Sequence, residues 1–314
     1  MAGYALRRLL GAIPTLFIIV TLTFFMMHAA PGGPFDAQRR LPPEVEANVK
    51  AAYDLDKPLW QQYTIYLTKL AHGDLGPSFK NKDFTVARLI GTGLPVSTRL
   101  GLSAMALALL LGSLMGIWAA LRQNRWQDYS AMTVAMVGIC IPAFVTAPLL
   151  SLLFGIYGVS FFGHEIFLPV GGWGGGALRN MILPVAVLAL PQIAVIARLM
   201  RGSMVEVLRA NYIRTARAKG LSTPRIVFVH GLRAAALPLV SYLGPAVAAV
   251  LTGSLVVEQI FGLPGIGRYF VQGALNRDYT LVMGVVILYS TLIIVLNFVA
   301  DIVYGLLDPR VRLT

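Results

Sequence analysis

The chain alternates between long apolar runs and shorter polar stretches. A helix needs about 20 apolar residues to cross the hydrocarbon core of a bilayer, where the backbone must satisfy its own hydrogen bonds. Six runs have this character: Leu9–Ala30, Leu100–Leu121, Tyr129–Gly163, Asn180–Ala197, Ala234–Val257 and Tyr279–Ala300. The pattern therefore predicts an all-α polytopic membrane protein with six transmembrane helices.

Two of these runs depart from the standard length. Tyr129–Gly163 is uncharged and long enough for one span plus an interfacial loop, whereas Asn180–Ala197 is short but can extend past Arg198. The first run follows Arg7 and Arg8, as a signal peptide would, but its apolar stretch is too long for a typical signal core. We interpret it as an uncleaved first helix.

Basic residues cluster in four stretches that six spans place on one side of the membrane. Lys and Arg in short loops mark the cytoplasmic side, so both termini are predicted to be cytoplasmic. The basic residues of these stretches are Arg7 and Arg8; Arg122 and Arg125; Arg198, Arg201, Arg209, Arg214, Arg217, Lys219, Arg225 and Arg233; and Arg310 and Arg312.

The long segment on the opposite side, Pro31–Thr98, carries charges of both signs and is predicted to form a small ordered cap. Pro42 and Pro43 can start a helix through Glu44–Tyr53. Asp56 is predicted to N-cap a second helix that begins near Pro58 and runs to Leu70. The stretch Gly73–Pro77 then has the composition of a turn.

Composition supports a lipid environment and argues against a soluble domain or a nucleic-acid-binding protein. The chain is 57% hydrophobic and 13% charged, against about 25% charged in an average soluble domain. Its net charge of +12 lies between apolar runs rather than on one basic face, which argues against nucleic-acid binding. The single cysteine, Cys140, lies in an apolar run and is interpreted as a packing residue.

No motif for catalysis or cofactor binding is present in the sequence. A phosphate-binding loop, H-E-x-x-H, a cysteine cluster and G-x-S-x-G are all absent, and the four histidines are far apart. We therefore expect no enzyme activity and no cofactor or metal bound by this chain. The acidic residues assigned to spans, Glu258 and Asp301, are interpreted either as interfacial or capping groups or as lining a pathway.

The stretch Arg201–Pro238 is too polar to span a membrane and has a helical pattern. Met204, Val207 and Leu208 share one helical face. Asn211 is predicted to N-cap a short helix, Tyr212–Lys219, that ends at a left-handed Gly220. Ala216 and Ala218 give this helix a small-residue surface. Two interpretations stay open: a basic helix on lipid headgroups, or a docking helix for a soluble partner.

The sequence YIRTARAKGL followed by GLRAAALP resembles the cytoplasmic signature of permease subunits of ATP-binding-cassette (ABC) importers. Arg214-Thr215-Ala216 replaces the E-A-A of that signature, a variant typical of dipeptide and oligopeptide permeases, and Gly220 and Leu237-Pro238 match its glycine and its ending. Further matches are Leu6-Arg7-Arg8, Ile13-Pro14-Thr15, Ala30-Pro31-Gly32, Gly73-Asp74-Leu75-Gly76, Leu94-Pro95-Val96-Ser97, Val257–Gly267, Asn276–Tyr279 and Leu307–Arg310. The resemblance is closest to the first permease subunit of oligopeptide importers.

This resemblance implies a multi-pass subunit of the bacterial inner membrane that forms half of a translocation pathway. The implied partners are a second permease, two cytoplasmic ATPases that carry ATP and Mg, and an extracytoplasmic peptide-binding protein. The implied ATPase-coupling residues are Tyr212, Ile213, Arg214, Thr215, Ala216, Arg217, Ala218, Lys219 and Gly220. The implied outer-gate residues, on a re-entrant turn, are Glu258, Phe261, Pro264, Gly265 and Gly267.

The predicted organisation has three parts: residues 1–30 with the first span, an extracytoplasmic cap at 31–98, and a core at 99–314 that includes a coupling segment at 201–236. Other hypotheses stay open. The cargo could be a dipeptide, glutathione, a nickel chelate or an antimicrobial peptide. In a different class, the chain could be a secondary transporter or channel that works without ATP, or a membrane scaffold without a pathway.

Overall fold

The computed structural model describes residues 2–29, 51, 53–80, 83–161 and 164–307. In chain order the helices are α1 (Ala2–Ala29), α2 (Leu59–Ala71), α3 (Val86–Leu121), α4 (Trp126–Cys140), α5 (Ala143–Ser151), α6 (Leu178–Leu208), α7 (Asn211–Ala218), α8 (Thr223–Arg225), α9 (Leu232–Ala235), α10 (Leu237–Gly253), α11 (Leu255–Ile260), α12 (Ile266–Leu275) and α13 (Tyr279–Leu307). Two π-helical turns, Leu152–Ile156 and Ile226–Gly231, continue α5 and α8. The prediction of an all-α membrane protein is confirmed, with one small exception. Strands β1 (Val159–Phe161) and β2 (His164–Ile166) form an antiparallel hairpin in which Val159 pairs with Ile166.

Five stretches are long and apolar enough to cross a membrane, and a bent helix pair supplies the sixth. The five are Leu10–Ala29, Val86–Leu121, Leu178–Leu208, Leu237–Ile260 and Tyr279–Val303. In the pair, α4 and the α5 helix with its π turn meet at an angle of 103°. Ile141 and Pro142 are both extended there, because proline cannot continue the hydrogen-bond pattern of the helix before it.

The predicted bounds of two spans differ from the structure. Helix α3 begins at Val86 rather than Leu100, so the boundary drawn at residue 98 falls inside one continuous helix. Helix α6 runs past Arg198, as expected, but continues to Leu208 and takes up the first part of the segment assigned to the cytoplasm. Arg88 and Arg99 interrupt the apolar pattern, so the first half of α3 was not predicted as part of the span.

The core lies where α3 packs along α6, with Leu100, Ile196 and Met200 fully buried. Two glycines one turn apart on α3 allow this close contact. A Cβ at Gly116 would lie 2.5 Å from the carbonyl oxygen of Ala197, and a Cβ at Gly112 would lie 2.8 Å from the Ile196 side chain. Small residues spaced in this way are typical of tight helix contacts in membranes, where packing rather than water exclusion drives association.

On the outer side, α2 packs against the end of α1. Phe24 and Tyr66 are buried in this contact, and the hydroxyls of Thr21 and Tyr63 lie 2.7 Å apart. The predicted start and end of this helix are right to within one residue, but the predicted Asp56 cap is wrong. The N-cap position is Pro58, without a side-chain hydrogen bond.

Two further predictions concern the outer segment. Gly73 and Gly76 both have positive φ, which confirms the predicted turn at Gly73–Pro77. The predicted helix Glu44–Tyr53 falls almost wholly outside the described residues. The segment after the turn is fixed to α13 by Asp278, which accepts hydrogen bonds from the Ser78 hydroxyl and, at 3.2 Å, from the Lys80 amide.

Candidate functional site: a cytoplasmic helix and an outer turn

Helix α7 follows α6 after a break of two residues, Arg209 and Ala210. Ala210 is extended and occupies the N-cap position without a side-chain hydrogen bond. The predicted cap at Asn211 is therefore wrong, because Asn211 is the first helical residue. Its carbonyl oxygen instead accepts a hydrogen bond from the Thr215 hydroxyl at 3.2 Å.

The end of α7 forms as the sequence predicts. Gly220 has a φ of +77°, in the left-handed region that glycine adopts without steric cost. The Leu221 amide donates back to the Ala216 carbonyl at 3.3 Å, which is the long-range hydrogen bond of a Schellman cap. No atom lies within 4 Å of a Cβ built at Gly220, so the backbone angle alone calls for glycine here.

One face of α7 is fixed to the rest of the protein. Ile213 is fully buried and Ala216 is nearly so, and they pack against Ile226, Val207 and Leu208. The prediction that Ala216 lies on an exposed small-residue surface is wrong, whereas Ala218 is exposed. The shared face predicted for Met204, Val207 and Leu208 is confirmed, since all three pack inward. Helix α7 is therefore anchored through the face that carries Ile213 and Ala216.

The opposite face of α7 is exposed and basic. Tyr212 is 49% exposed. The other predicted ATPase-coupling residues on this face are also exposed: Arg214, Thr215, Arg217, Ala218, Lys219 and Gly220. The end of a helix favours nearby cations, which fits Arg217 and Lys219 in the last turn. The face presents an aromatic ring and cations to the cytoplasm, on a support that its buried face holds in place.

An ion pair connects this region to the bent span. The Arg201 guanidinium on α6 binds both carboxylate oxygens of Asp128 at 2.5 and 2.6 Å, and Asp128 is almost fully buried at the start of α4. The backbone amide of Asn124 donates a hydrogen bond to the same carboxylate at 2.9 Å. Bidentate pairs of this kind hold their geometry well. The pair therefore fixes α6 to the start of α4, two turns before the end of α6.

The outer turn joins α11 to α12 and contains a fully buried carboxylate. Oε1 of Glu258 accepts hydrogen bonds from the hydroxyls of Ser97 and Ser254, each at 2.6 Å, and Oε2 accepts one from the Gly267 amide at 2.8 Å. The Ser97 hydroxyl also accepts from the Ile266 amide at 2.9 Å. Glu258 is thus buried within this chain, and its hydrogen bond with the Gly267 amide in the first turn of α12 agrees with the capping interpretation. It connects α3, α11 and α12.

The glycines of the outer turn are needed for close contact. A Cβ at Gly265 would collide with the Glu258 carboxylate, and a Cβ at Gly267 would lie 2.5 Å from Cα of Leu255. The positive φ in this turn belongs to Gly262, which is not among the predicted outer-gate residues. Pro264 is half-buried and Phe261 is buried. The five predicted outer-gate residues therefore lie in one compact turn.

Three residues of this turn's surroundings escaped prediction. Ser97 and Ser254 satisfy the carboxylate, and the Gly172 amide donates to the Phe261 carbonyl at 2.8 Å. Ser97 lies far from Glu258 along the chain, so local pattern gives no signal for the pair. The glycine-rich run at 171–176 was a visible signal, since consecutive glycines mark close backbone approach.

Asp301, the other acidic residue assigned to a span, differs from Glu258 in its exposure and its partner. Asp301 on α13 is partly exposed and lies 2.8 Å from the Arg8 guanidinium on α1. This position near the cytoplasmic ends of two spans agrees with an interfacial group. Among residues 2–29, 53–80, 83–161 and 164–307, no group of three or more His, Cys, Asp or Glu side chains is placed to hold a metal ion.

Comparison with known proteins identifies the architecture. The sequence model of the binding-protein-dependent transport system inner membrane component matches residues 112–313, and the model of the N-terminal part of such membrane components matches residues 1–97. The chain belongs to this family. It is a multi-pass inner-membrane permease with a role in transport rather than catalysis.

Individual relatives span the whole permease. The oligopeptide transport system permease protein OppB of Salmonella typhimurium is 54% identical over 312 residues, which cover 99% of this chain and 100% of the relative. OppB of Haemophilus influenzae is 52% identical over the same shares of both chains. The dipeptide transport system permease protein DppB of Bacillus subtilis is 44% identical over 313 residues, 100% of this chain and 99% of the relative.

Proposed function

We propose that this permease forms half of the translocation pathway of an ABC importer for oligopeptides, and that α7 couples closure of the ATPase subunits to opening of the pathway. The observation that carries the proposal is the two-faced character of α7. Its buried face makes it move with the spans, and its exposed basic face is accessible to a cytoplasmic partner. A lever needs both properties.

The proposed assembly contains a second permease, two cytoplasmic ATPases and an extracytoplasmic binding protein. ATP and Mg bind to the ATPases, and this chain binds neither. The contacts of α7 support the proposal that force applied by an ATPase passes from the exposed face of α7 to the spans. A push on Arg214 or Arg217 reaches the buried Ile213, and the Arg201–Asp128 pair extends the rigid unit into the bent span.

The cargo assignment rests on the relatives. Permeases of oligopeptide systems are 52–54% identical to this chain, and the dipeptide permease of Bacillus subtilis is 44% identical. The test is uptake of labelled peptides of defined length by cells that lack this gene and carry it on a plasmid. We expect uptake of peptides longer than dipeptides to be restored. Restoration of dipeptide uptake alone would contradict the assignment.

The coupling role is tested at Gly220, where no neighbour complicates the result. Gly220→Val forces a β-branched residue into the left-handed region, at a cost of about 1–2 kcal/mol. We expect the amount of ATPase that co-purifies to fall about 5–30-fold, while insertion into the membrane is unchanged. Gly220→Asn should retain the ATPase, because asparagine tolerates this conformation.

A matched control lies on α6. Gly202 is exposed, helical and equally free of neighbours within 4 Å of a built Cβ, so Gly202→Val changes the same atoms without backbone strain. We expect this variant to keep the ATPase. Equal loss from the two valine variants, or full transport with Gly220→Val, would refute the role of α7.

A further inference from the structure

A groove of about 810 Å³ lies between α1 and α13, near the end of α1 that carries the N-terminus. Its walls include Arg7, Arg8, Gly11, Thr15, Val295 and Phe298. The volume falls within the range of about 300–1,000 Å³ typical of small-molecule sites. The groove is separate from α7 and from the outer turn, and neither uses its residues.

The groove has a charged mouth and an apolar interior. A phospholipid has the same arrangement, with a charged headgroup at one end and apolar acyl chains behind it. The apolar span of α1 begins at Leu10, so Arg7 and Arg8 lie just beyond the hydrocarbon region. The distribution of basic residues places this end on the cytoplasmic side. From Arg7 to Thr15 a helix rises about 12 Å, so the wall continues well into the bilayer.

Among the described residues, the mouth carries more basic than acidic side chains. The Arg8 guanidinium faces the Asp301 carboxylate at 2.8 Å, so these two groups compensate each other. Arg7 is exposed and forms no ion pair with the described residues, so among those residues the mouth holds two guanidinium groups and one carboxylate. A protein helix lying over the groove would remove Arg7 from water, which is costly unless that helix carries an acidic group opposite Arg7. A phosphate with an acyl chain satisfies both parts of the groove.

We propose that this groove is a binding site for an anionic phospholipid of the cytoplasmic leaflet. The phosphate contacts Arg7 at the mouth, and one acyl chain lies along the wall formed by Gly11, Thr15 and Val295. Basic pockets between transmembrane helices on the cytoplasmic side have the chemistry for such headgroups. The lipid fills the space between the first and last spans.

The test is lipid retention by the purified transporter complex, measured by native mass spectrometry during titration with phosphatidylglycerol or phosphatidylcholine. We expect the wild type to prefer phosphatidylglycerol. Arg7→Gln should weaken its binding about fivefold, the equivalent of about 1 kcal/mol for one basic residue at an anionic surface. Arg7→Lys should retain most of the binding, because lysine also binds phosphate as a point charge.

Two controls make the result specific. Arg122→Gln removes an exposed arginine from the cytoplasmic end of α3, outside the groove, and should leave binding unchanged. Asp301→Asn removes the competing anion and should strengthen binding, a gain that misfolding cannot produce. Equal affinity for the two lipids, or equal loss from Arg7→Gln and Arg122→Gln, would overturn the proposal.

A groove-filling variant separates a lipid from a protein occupant. Gly11 lines the groove and no atom lies within 4 Å of a Cβ built there, so Gly11→Trp is the substitution chosen to fill the groove. We expect this variant to lose phosphatidylglycerol while keeping the second permease subunit. Loss of the second permease with unchanged lipid binding would instead identify a protein interface and overturn the proposal.

Discussion

The outer turn and the α7 region each combine charged side chains with a required glycine, but place them differently. In the outer turn, the carboxylate of Glu258 is fully buried and its hydrogen bonds come from hydroxyls and an amide of this same chain. On α7, the charged groups point into the cytoplasm, with only Ile213 and Ala216 buried. The first region is complete within the chain, and the second leaves its polar face for another molecule.

The glycines of the two regions support the same distinction. Gly267 is required because the backbone near Leu255 lies too close for a side chain. Gly220 has open space around it and is required only by its positive φ. Substitution in the outer turn therefore disturbs packing, whereas substitution at Gly220 changes the direction of the chain after α7. Stability and coupling should consequently respond to different substitutions.

The largest effect is expected from Glu258→Ala. The change leaves two buried donors, the Ser97 hydroxyl and the Gly267 amide, without their acceptor, while the Ser254 hydroxyl keeps the Leu251 carbonyl at 3.1 Å, so at about 1–3 kcal/mol for each unsatisfied donor the loss of stability should be about 2–6 kcal/mol. The measurement is the thermal unfolding midpoint of the purified complex in detergent. Glu206→Ala, which removes an exposed carboxylate from α6, is the control and should leave the midpoint within error. Similar midpoints for the two variants would mean that the network does not hold the turn.

Ile213→Ala should have the next largest effect, and it acts on the support of α7 rather than on its exposed face. Truncation of a fully buried isoleucine costs about 2–5 kcal/mol. We expect the ATPases to remain bound while peptide uptake falls, because the lever is loosened where it joins the spans. If Ile213→Ala lost both ATPase binding and peptide uptake, as is expected for Gly220→Val, the buried and exposed faces of α7 would not have separate roles.

Gly267→Ala tests the close contact in the outer turn. The added methyl group meets the backbone at 2.5 Å, so the turn must shift, at a cost of about 1–3 kcal/mol. Thermal unfolding measures this cost, and Gly202→Ala on α6 is the control. That substitution should stabilise by about 0.5–1 kcal/mol, because alanine loses less entropy in a helix. A neutral result for Gly267→Ala would contradict the packing described.

The smallest effect concerns a surface pair outside both regions. The hydrogen bond from Lys57 holds the pKa of Asp54 below its usual value. A depressed carboxylate pKa contributes stability above the unfolded value of about 3.9, and this contribution is lost as the pH falls through the folded value. Asp54→Asn should therefore cost at most about 0.5 kcal/mol at pH 7 and nothing near pH 2. A difference that persists at pH 2 would exclude this cause.

Local pattern predicted the parts of this protein that depend on neighbouring residues. Uninterrupted apolar runs gave the spans, and the glycine after a short basic helix gave the end of α7. Pro142 lies at the 103° bend of the third span, which is a local backbone effect of proline. These features depend on solvent and backbone rules that act within a few residues.

Features that depend on distant residues were missed. Ser97 and Glu258 meet only because α3 packs beside α11 and α12, so neither sequence position reveals the hydrogen bond. Ala216 was assigned to the wrong face because a small residue fits either a partner surface or a tight internal contact. The Asn211 and Asp56 caps failed since the preceding extended residues, Ala210 and Pro58, already set the start of each helix.

Cross-linking from α7 tests the central claim most directly. Cys140, the only cysteine in the chain, is replaced by serine, and a single cysteine carrying a photoreactive maleimide is introduced by Arg217→Cys or, as a control, by Arg122→Cys. Both positions are exposed on the cytoplasmic side. The account predicts that position 217 cross-links to an ATP-hydrolysing subunit, with a yield that changes on addition of ATP, and that position 122 does not. A complex that imports peptides without any cross-link from position 217 to such a subunit would contradict it.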